Sequence, residues 1–224
     1  MKSALTAIFL FISCSLFAGT IKGNVKAQPR PEAMEDVQAG KYENRKYKFL
    51  ERINYDELKD FVVYVDQPMP NINQPPPKPM QVVIQKDGTF KPHVLPVMVG
   101  TTVEWPNNDD IFHNVFSMSE AKPFDLGFYK SHEIKRVTFD KPGRVDIFCS
   151  IHTRMSCIVL VLENPFFAAS DKNGNYQISN LPAGNYRLKA WHERLPSQAM
   201  DVNVPVNGEV SQDFVLTVAG LPKY

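Results

Sequence analysis

Residues 149–155 bring together a thiol, an imidazole and a thioether, from Cys149, His152 and Met155. A second imidazole, that of His113, lies upstream in a stretch that mixes acidic and apolar residues. Two histidines, one cysteine and a weakly bound axial methionine are the ligand set of a blue-copper electron-transfer site. Sulfur ligands suit Cu(I) and imidazole is a common copper ligand, so this set tolerates both oxidation states. The sequence therefore predicts one type 1 copper ion held by these four residues.

The ligand loop lies between two segments with strand character. Residues 144–148 alternate polar and apolar side chains before Cys149, and residues 157–162 form an apolar run after Met155. A short loop fixed at both ends limits how far its ligands relax when the metal changes oxidation state, and little relaxation favours fast electron transfer. We therefore expect the loop to leave one strand at Cys149 and to enter the next at Ile158.

Residues 80–162 resemble a cupredoxin. The spacing Cys-x2-His-x2-Met is similar to the ligand loop of amicyanin-type members, and residues 97–105 and 137–143 resemble the strands before the first histidine and before the cysteine. The resemblance implies an all-β, eight-stranded Greek-key sandwich with a type 1 copper site. It also implies that Asn114 supports the two ligand loops by hydrogen bonds. The ring edge of His152 is then expected to pass the electron to a partner.

Each ligand has an alternative role. Taken alone, His113 could be a structural histidine and Met155 could fill the core, so their ligand roles depend on the whole pattern. Cys149 could form a disulfide with Cys157 in an oxidising compartment. Because Cys157 alternates inward with Val159, a buried free thiol is the simpler expectation for it.

The N-terminus has the features of an export signal. Lys2 supplies the positive charge, residues 4–17 form an apolar core, and residues 16–18 fit a cleavage site, so residues 1–18 are predicted to be a signal peptide. The apolar run is too short for a convincing membrane span, although lipidation at Cys14 is left open. We expect the mature protein in the periplasm, without a membrane span.

Charge bears on the class of partner. Loss of residues 1–18 would remove Lys2 and leave equal numbers of basic and acidic residues, 24 of each. The sequence has neither a basic stripe nor a nucleic-acid-binding motif, so we expect no nucleic-acid partner. Periplasmic redox proteins are expected instead, docking on an apolar patch near the copper. A cytochrome c is one candidate, and the resemblance to amicyanin adds an amine-oxidising dehydrogenase.

The histidine content favours an electron carrier over an enzyme. The chain has five histidines and no His-x-His pair, whereas a copper oxidase or nitrite reductase needs a second copper site. Two further alternatives stay open: a non-catalytic copper-handling protein, and a metal-free, ligand-binding β-sandwich protein.

A second, small β-sandwich is predicted from the rest of the chain. The patterns Ser-Asp-x-Asn-Gly-x-Tyr at 170–176 and Leu-Pro-Ala-Gly-x-Tyr at 181–186 resemble carboxypeptidase-regulatory-like, transthyretin-type domains. The two strands that normally precede this hairpin match residues 19–25 and 60–66. We therefore predict a discontinuous domain of residues 19–66 and 163–220, into which a cupredoxin domain of residues 80–162 is inserted after a proline-rich linker at 67–79. Two consecutive domains with a loose N-terminal arm are the alternative.

Several other features give local expectations. His93 is expected to be a hydrogen-bonded scaffold residue, and His192 to brace the contact between the two sandwiches. Asp109 and Asp110 are predicted to form a turn ahead of His113 rather than an acid–base pair. Residues 168–178 predict a hairpin with a glycine-containing turn.

Overall fold

The computed structural model describes residues 18–29, 54–69 and 80–218, and there the chain is all-β. The predicted fold class is therefore confirmed. One 3-10 turn, Tyr55–Glu57, is capped by the side chain of Asn54, and no helix in the described part is long and apolar enough to cross a membrane. Cys14, residues 1–17 of the predicted signal peptide and residues 70–79 of the predicted linker lie outside the described residues.

The strands follow one another with short connections wherever the chain is described. In chain order they are β1 (Ala18–Gln28), β2 (Val62–Val65), β3 (Gln81–Val82), β4 (Ile84–Lys86), β5 (Thr89–Lys91), β6 (Val94–Met98), β7 (Thr101–Pro106), β8 (His113–Ser117), β9 (Phe124–Tyr129), β10 (Ile134–Phe139), β11 (Gly143–Phe148), β12 (Ser156–Leu162), β13 (Phe167–Ala169), β14 (Asn175–Pro182), β15 (Gly184–His192), β16 (Leu195–Val204), β17 (Glu209–Ser211) and β18 (Phe214–Thr217).

The first sandwich is built from β3–β12. One sheet has the order β6-β12-β11-β8-β9 and the other the order β10-β7-β3, with β4 and β5 as a separate hairpin. Alternate residues of β11 and β7 point inward, and the core between the sheets contains Trp105, Phe139 and Ile147, all fully buried. The hairpin accounts for the two strands beyond the eight that the resemblance implied.

The second sandwich combines strands from both ends of the described chain. Its sheets have the orders β14-β1-β17, with β18 also paired to β1, and β13-β2-β15-β16. Its core contains Ile21 and Val63 from the first two strands, together with Leu188 and Phe214 from the last part of the chain. In the sequence, β1 and β2 precede the first sandwich and the other strands follow it.

The predicted hairpin at residues 168–178 is wrong in its pairing. Its turn is present, since the Gly174 N–H donates to the Asp171 carbonyl oxygen at 3.0 Å. However, β13 pairs with β2 and β14 pairs with β1, so the two strands enter different sheets. The cause is long-range pairing. In a hairpin β13 and β14 would pair with each other, but here β2 pairs with β13 and β1 pairs with β14.

The two sandwiches are joined by an apolar contact along β12. Ile158, Leu160 and Leu162 on its outer face pack with Val62 of β2 and Val94 of β6. The other face of β12 belongs to the first sandwich's own core, through Val159 and Val161 among others. A strand buried on both faces has no polar side to present, which explains why β12 is apolar almost throughout instead of alternating.

Candidate metal centre

Two connections at one end of the first sandwich carry the predicted ligands. His113 is the first residue of β8, and Cys149 directly follows β11, its neighbour in the sheet. Residues 149–155 then form a closed loop before β12. Within it the Cys149 N–H donates to the Met155 carbonyl oxygen at 3.1 Å, and the Met155 N–H donates to the His152 carbonyl oxygen at 2.9 Å. These two bonds fix the loop that separates Cys149 from β12.

The three strongest donor atoms of the predicted set converge. The Nδ1 atoms of His113 and His152 lie 3.1 Å apart, and the Cys149 sulfur lies 3.9 Å and 3.6 Å from them, respectively. The point equidistant from the three atoms is about 2.1 Å from each, within about 0.2 Å of the usual metal–imidazole and metal–thiolate bond lengths. The structure therefore places His113, Cys149 and His152 where one transition-metal ion can contact all three. Two imidazole nitrogens and a thiolate are also the three strong donors of blue-copper sites.

Met155 lies at the end of the same loop and is buried, in one apolar cluster with Cys149. Its backbone closes the loop, as described above. Its role as the axial ligand stays a prediction.

Asp109 contacts a predicted ligand, although the sequence alone placed it only in a turn. Its carboxylate accepts a hydrogen bond from His113 Nε2 at 2.9 Å, and also from the backbone N–H groups of Asp87 and Gly88 at 2.7 and 2.9 Å. Burial alone would raise the pKa of the Asp109 carboxyl, but the hydrogen bonds from Gly88, His113 and Asp87 lower this pKa to about 2. Asp109 is therefore a permanent anion at neutral pH.

The Asp109 carboxylate determines which nitrogen of His113 carries the proton. A carboxylate can only accept, so His113 holds a proton on Nε2 and its Nδ1 lone pair is free to face Cys149. A spacing of four residues brings two side chains together in a helix, but His113 begins a strand, so the sequence carried no signal of its pairing with Asp109. The approach of the turn at Asp87 and Gly88, which completes the environment of the Asp109 carboxylate, could not be foreseen either.

Asn114 has a different partner from the one that the resemblance implied. Its side-chain NH2 donates to Asp125 on β9 at 2.6 Å, and its Oδ1 is buried without a partner in the described part of the chain. No hydrogen bond between described residues joins the Asn114 side chain to either ligand loop. The cause is strand geometry: Asn114 follows His113 in β8, so the two side chains point to opposite faces of the sheet.

The described cysteines, Cys149 and Cys157, are both free and both buried. Cys157 lies in β12 opposite Ile147, and burial raises the pKa of its thiol far above the ordinary value. Cys157 is thus a protonated core residue at neutral pH, whereas Cys149 is the thiol that faces two imidazoles.

Exposed apolar side chains adjoin His113 and the half-buried His152 in the sequence. Ile111, Phe112 and Ile151 are each about half exposed, and they lie directly before His113 or His152 in the two connections. We call these three residues the apolar rim. Large exposed apolar side chains grouped at one site are typical of a surface that contacts another protein.

Comparisons with known proteins gave partial likenesses. No family model and no curated protein matches the chain. Among solved structures, a Cu-containing nitrite reductase from Thermus scotoductus SA-01 is 33% identical over 38% of this chain and 23% of that one, with a TM-score of 0.36. An amicyanin mutant in the Cu(I) form is 26% identical over 37% and 82%, with a TM-score of 0.35.

A purple cupredoxin from Nitrosopumilus maritimus is 26% identical over 37% of this chain and 99% of that one, with a TM-score of 0.33. The chain thus spans less than a quarter of the nitrite reductase it resembles. At these TM-scores the likenesses decide neither the fold nor the function of this chain, which must be argued from its own residues.

Proposed function

We propose that this protein is a type 1 copper protein of the cupredoxin kind, and that it transfers single electrons between redox partners. One observation carries the proposal: His113 Nδ1, His152 Nδ1 and the Cys149 sulfur converge within 3.9 Å of one another at one end of a β-sandwich. When bound there, copper supplies the one-electron change between Cu(I) and Cu(II). The remaining chemistry belongs to the side chains that hold it.

Each residue has a distinct task in this proposal. Cys149 is the thiolate ligand and the main electronic path from the site into the protein. His113 is held in one orientation and one tautomer by Asp109. Met155 would be the weak fourth ligand, through which the protein would tune the reduction potential. The hydrogen bonds across the loop of residues 149–155 keep these ligands in place in both oxidation states.

His152 is the proposed electron port. It is the most exposed of the three converging residues, since His113 and Cys149 are buried and His152 is not. The apolar rim lets a partner approach without removing charged groups from water, a step that would oppose close contact. We propose periplasmic redox proteins as the partners, a cytochrome c or an amine-oxidising dehydrogenase among them. The periplasmic location is supported by the sequence of residues 1–18.

The two cores support the proposed division of the chain. Residues 80–162 would form the copper domain, and residues 19–66 and 163–220 a discontinuous second domain of the carboxypeptidase-regulatory-like kind. Two separate apolar clusters, one in each sandwich, are what this division requires.

Spectra after addition of Cu(II) test the function. The proposal predicts an intense thiolate-to-copper absorption band and narrow copper hyperfine splitting in the EPR spectrum, both lost in Cys149→Ala and kept in Cys157→Ala. Reversible reduction and reoxidation should follow. A copper-handling protein would bind the ion without that band, and a metal-free sandwich would not bind it; either result would refute the proposal.

A further inference from the structure

The second sandwich reaches the ligand loop through one turn. Glu193 lies between β15 and β16, and its Oε1 is 3.1 Å from Nε2 of His93, which directly precedes β6 of the first sandwich. The other ring nitrogen of His93, Nδ1, lies 3.2 Å from the carbonyl oxygen of Ser156. Ser156 is the residue after Met155. A continuous line of hydrogen bonds therefore runs from the second sandwich to the end of the ligand loop.

The chemistry of His93 determines the direction of both hydrogen bonds in this line: the imidazole must be the donor in each. Both ring nitrogens face oxygen atoms that can only accept, a carboxylate and a carbonyl, so only the charged imidazolium satisfies both contacts. The hydrogen bond to Glu193 raises the pKa of His93 above its ordinary value and outweighs burial, which lowers it. Asp60 adds a second negative charge near His93, while His93 itself lowers the pKa of Glu193. The two residues thus form a charge-assisted pair across the interface.

The same turn also contacts the strand that leads to Cys149. The Arg144 guanidinium, on β11, donates to the Glu193 carbonyl oxygen at 3.4 Å and lies over the ring of Trp191, 5.8 Å from its centroid. The backbone of His93 is tied to β12 as well, because its carbonyl oxygen accepts from the Ile158 N–H at 2.8 Å. Both strands that hold the ligand loop are therefore attached to this one turn of the second sandwich.

We propose that Glu193 and His93 are positioning residues for the candidate metal centre, and that the second sandwich serves as a support holding the Met155 end of the ligand loop in place. The relevance of this support to copper rests on the proposed function. The support itself is a property of the metal-free protein. His192, which the sequence analysis expected to brace the interface, instead packs on Phe61 within the second sandwich.

Reactivity of the loop's thiol tests the support without any metal. Cys149 and Cys157 fall into separate tryptic peptides because Arg154 lies between them, so mass spectrometry can follow their alkylation by iodoacetamide separately in the full chain. In metal-free Glu193→Ala we expect Cys149 to react about tenfold faster, because loss of a charge-assisted hydrogen bond makes local opening of the loop that buries the thiol easier. Cys157, buried in β12, should keep its rate.

Two further variants separate positioning from general stability. Glu193→Gln keeps an amide oxygen that can accept from His93 and should restore most of the protection. The Asp66–Lys189 ion pair lies in the second sandwich, and its side chains are about a third exposed, as are those of His93 and Glu193. Asp66→Asn removes this ion pair. It should leave the Cys149 rate unchanged. An unchanged rate in Glu193→Ala, or an equal rise at both cysteines or in Asp66→Asn, would overturn the proposal.

Spectra of the copper-loaded protein test whether the support affects the metal site. In Glu193→Ala loaded with Cu(II), the proposal predicts a visible and EPR spectrum shifted from that of the unmodified protein, and no shift in Asp66→Asn. If the unmodified protein gives no thiolate band at all, the proposed function fails while the alkylation result still decides the support. If the band is present and Glu193→Ala leaves it and the alkylation rate unaltered, only the support fails.

Discussion

Replacement of Asp109 by alanine should damage both the stability of the protein and its affinity for copper. The change removes three hydrogen-bond acceptor contacts at once, from His113 Nε2 and from the N–H groups of Asp87 and Gly88. The two backbone donors belong to a turn at the surface and can bond to water instead. His113 is fully buried, so its Nε2–H would be left without a partner.

The expected loss of stability follows from that single buried donor, the Nε2–H of His113. An unsatisfied buried polar group costs about 1–3 kcal/mol, so we expect the free energy of unfolding of the metal-free protein to fall by about 2 kcal/mol. Loss of the group that orients a metal-binding histidine typically lowers metal affinity about 10–100-fold. Urea unfolding measures the first quantity, and competition with a chelator for copper measures the second.

Asp110→Ala is the matched control, since Asp110 is exposed and its side chain accepts no hydrogen bond from the residues that the structure describes. It should change the free energy of unfolding by less than about 0.5 kcal/mol. If Asp109→Ala unfolds like the control and binds copper as tightly as the unmodified protein, then Asp109 does not orient His113 and the reasoning about its tautomer is wrong.

Three other predictions concern the interface, its pH dependence and the rim. Leu160→Ala at the sandwich interface should lower the free energy of unfolding by about 3 kcal/mol in a urea titration, and a loss below about 1 kcal/mol would mean that the two sandwiches are not packed as described. The stabilisation lost in Glu193→Gln should be largest between pH 4.5 and 6.5, the ordinary pKa values of the two groups. It should fade above that window as His93 loses its proton and below it as Glu193 gains one, so a difference independent of pH would contradict the pairing. Phe112→Glu should slow electron exchange with a partner about tenfold without altering the copper spectrum; an unchanged rate would remove the rim from the docking surface.

The types of side chain at the candidate site could be predicted from the sequence. The spacing of Cys149, His152 and Met155 predicted a short loop between two strands. The observed loop leaves β11 at Cys149 as expected and ends where β12 begins at Ser156, two residues before the expected Ile158. The orientation of His113 could not be foreseen. It depends on Asp109, whose environment is completed by a turn 21 and 22 residues earlier. The hydrogen bonds expected of Asn114 were wrong. They were inferred from a family resemblance, whereas the direction of its side chain follows from the alternation of residues along β8.

The fold shows the same division between local and long-range effects. Strand character was visible wherever polar and apolar residues alternate, as in β11, and the all-β class followed from it. The pairing of β13 and β14 was not visible, because their partners β1 and β2 come from more than 100 residues earlier in the chain. The contact of Glu193 was missed for the same reason, although the neighbouring His192 was expected at the interface. Nothing near Glu193 in the sequence indicates that its partner is His93 of the other sandwich.

The central claim is that His113, Cys149 and His152 bind one copper ion together, and X-ray absorption at the copper edge tests it most directly. The copper-loaded protein should show one short sulfur and two nitrogen neighbours at roughly 2.0–2.3 Å, and the sulfur should disappear in Cys149→Ala. A first shell of nitrogen and oxygen alone, or a sulfur at the short thiolate distance that persists in Cys149→Ala, where only the weaker Met155 sulfur is left, would contradict the account.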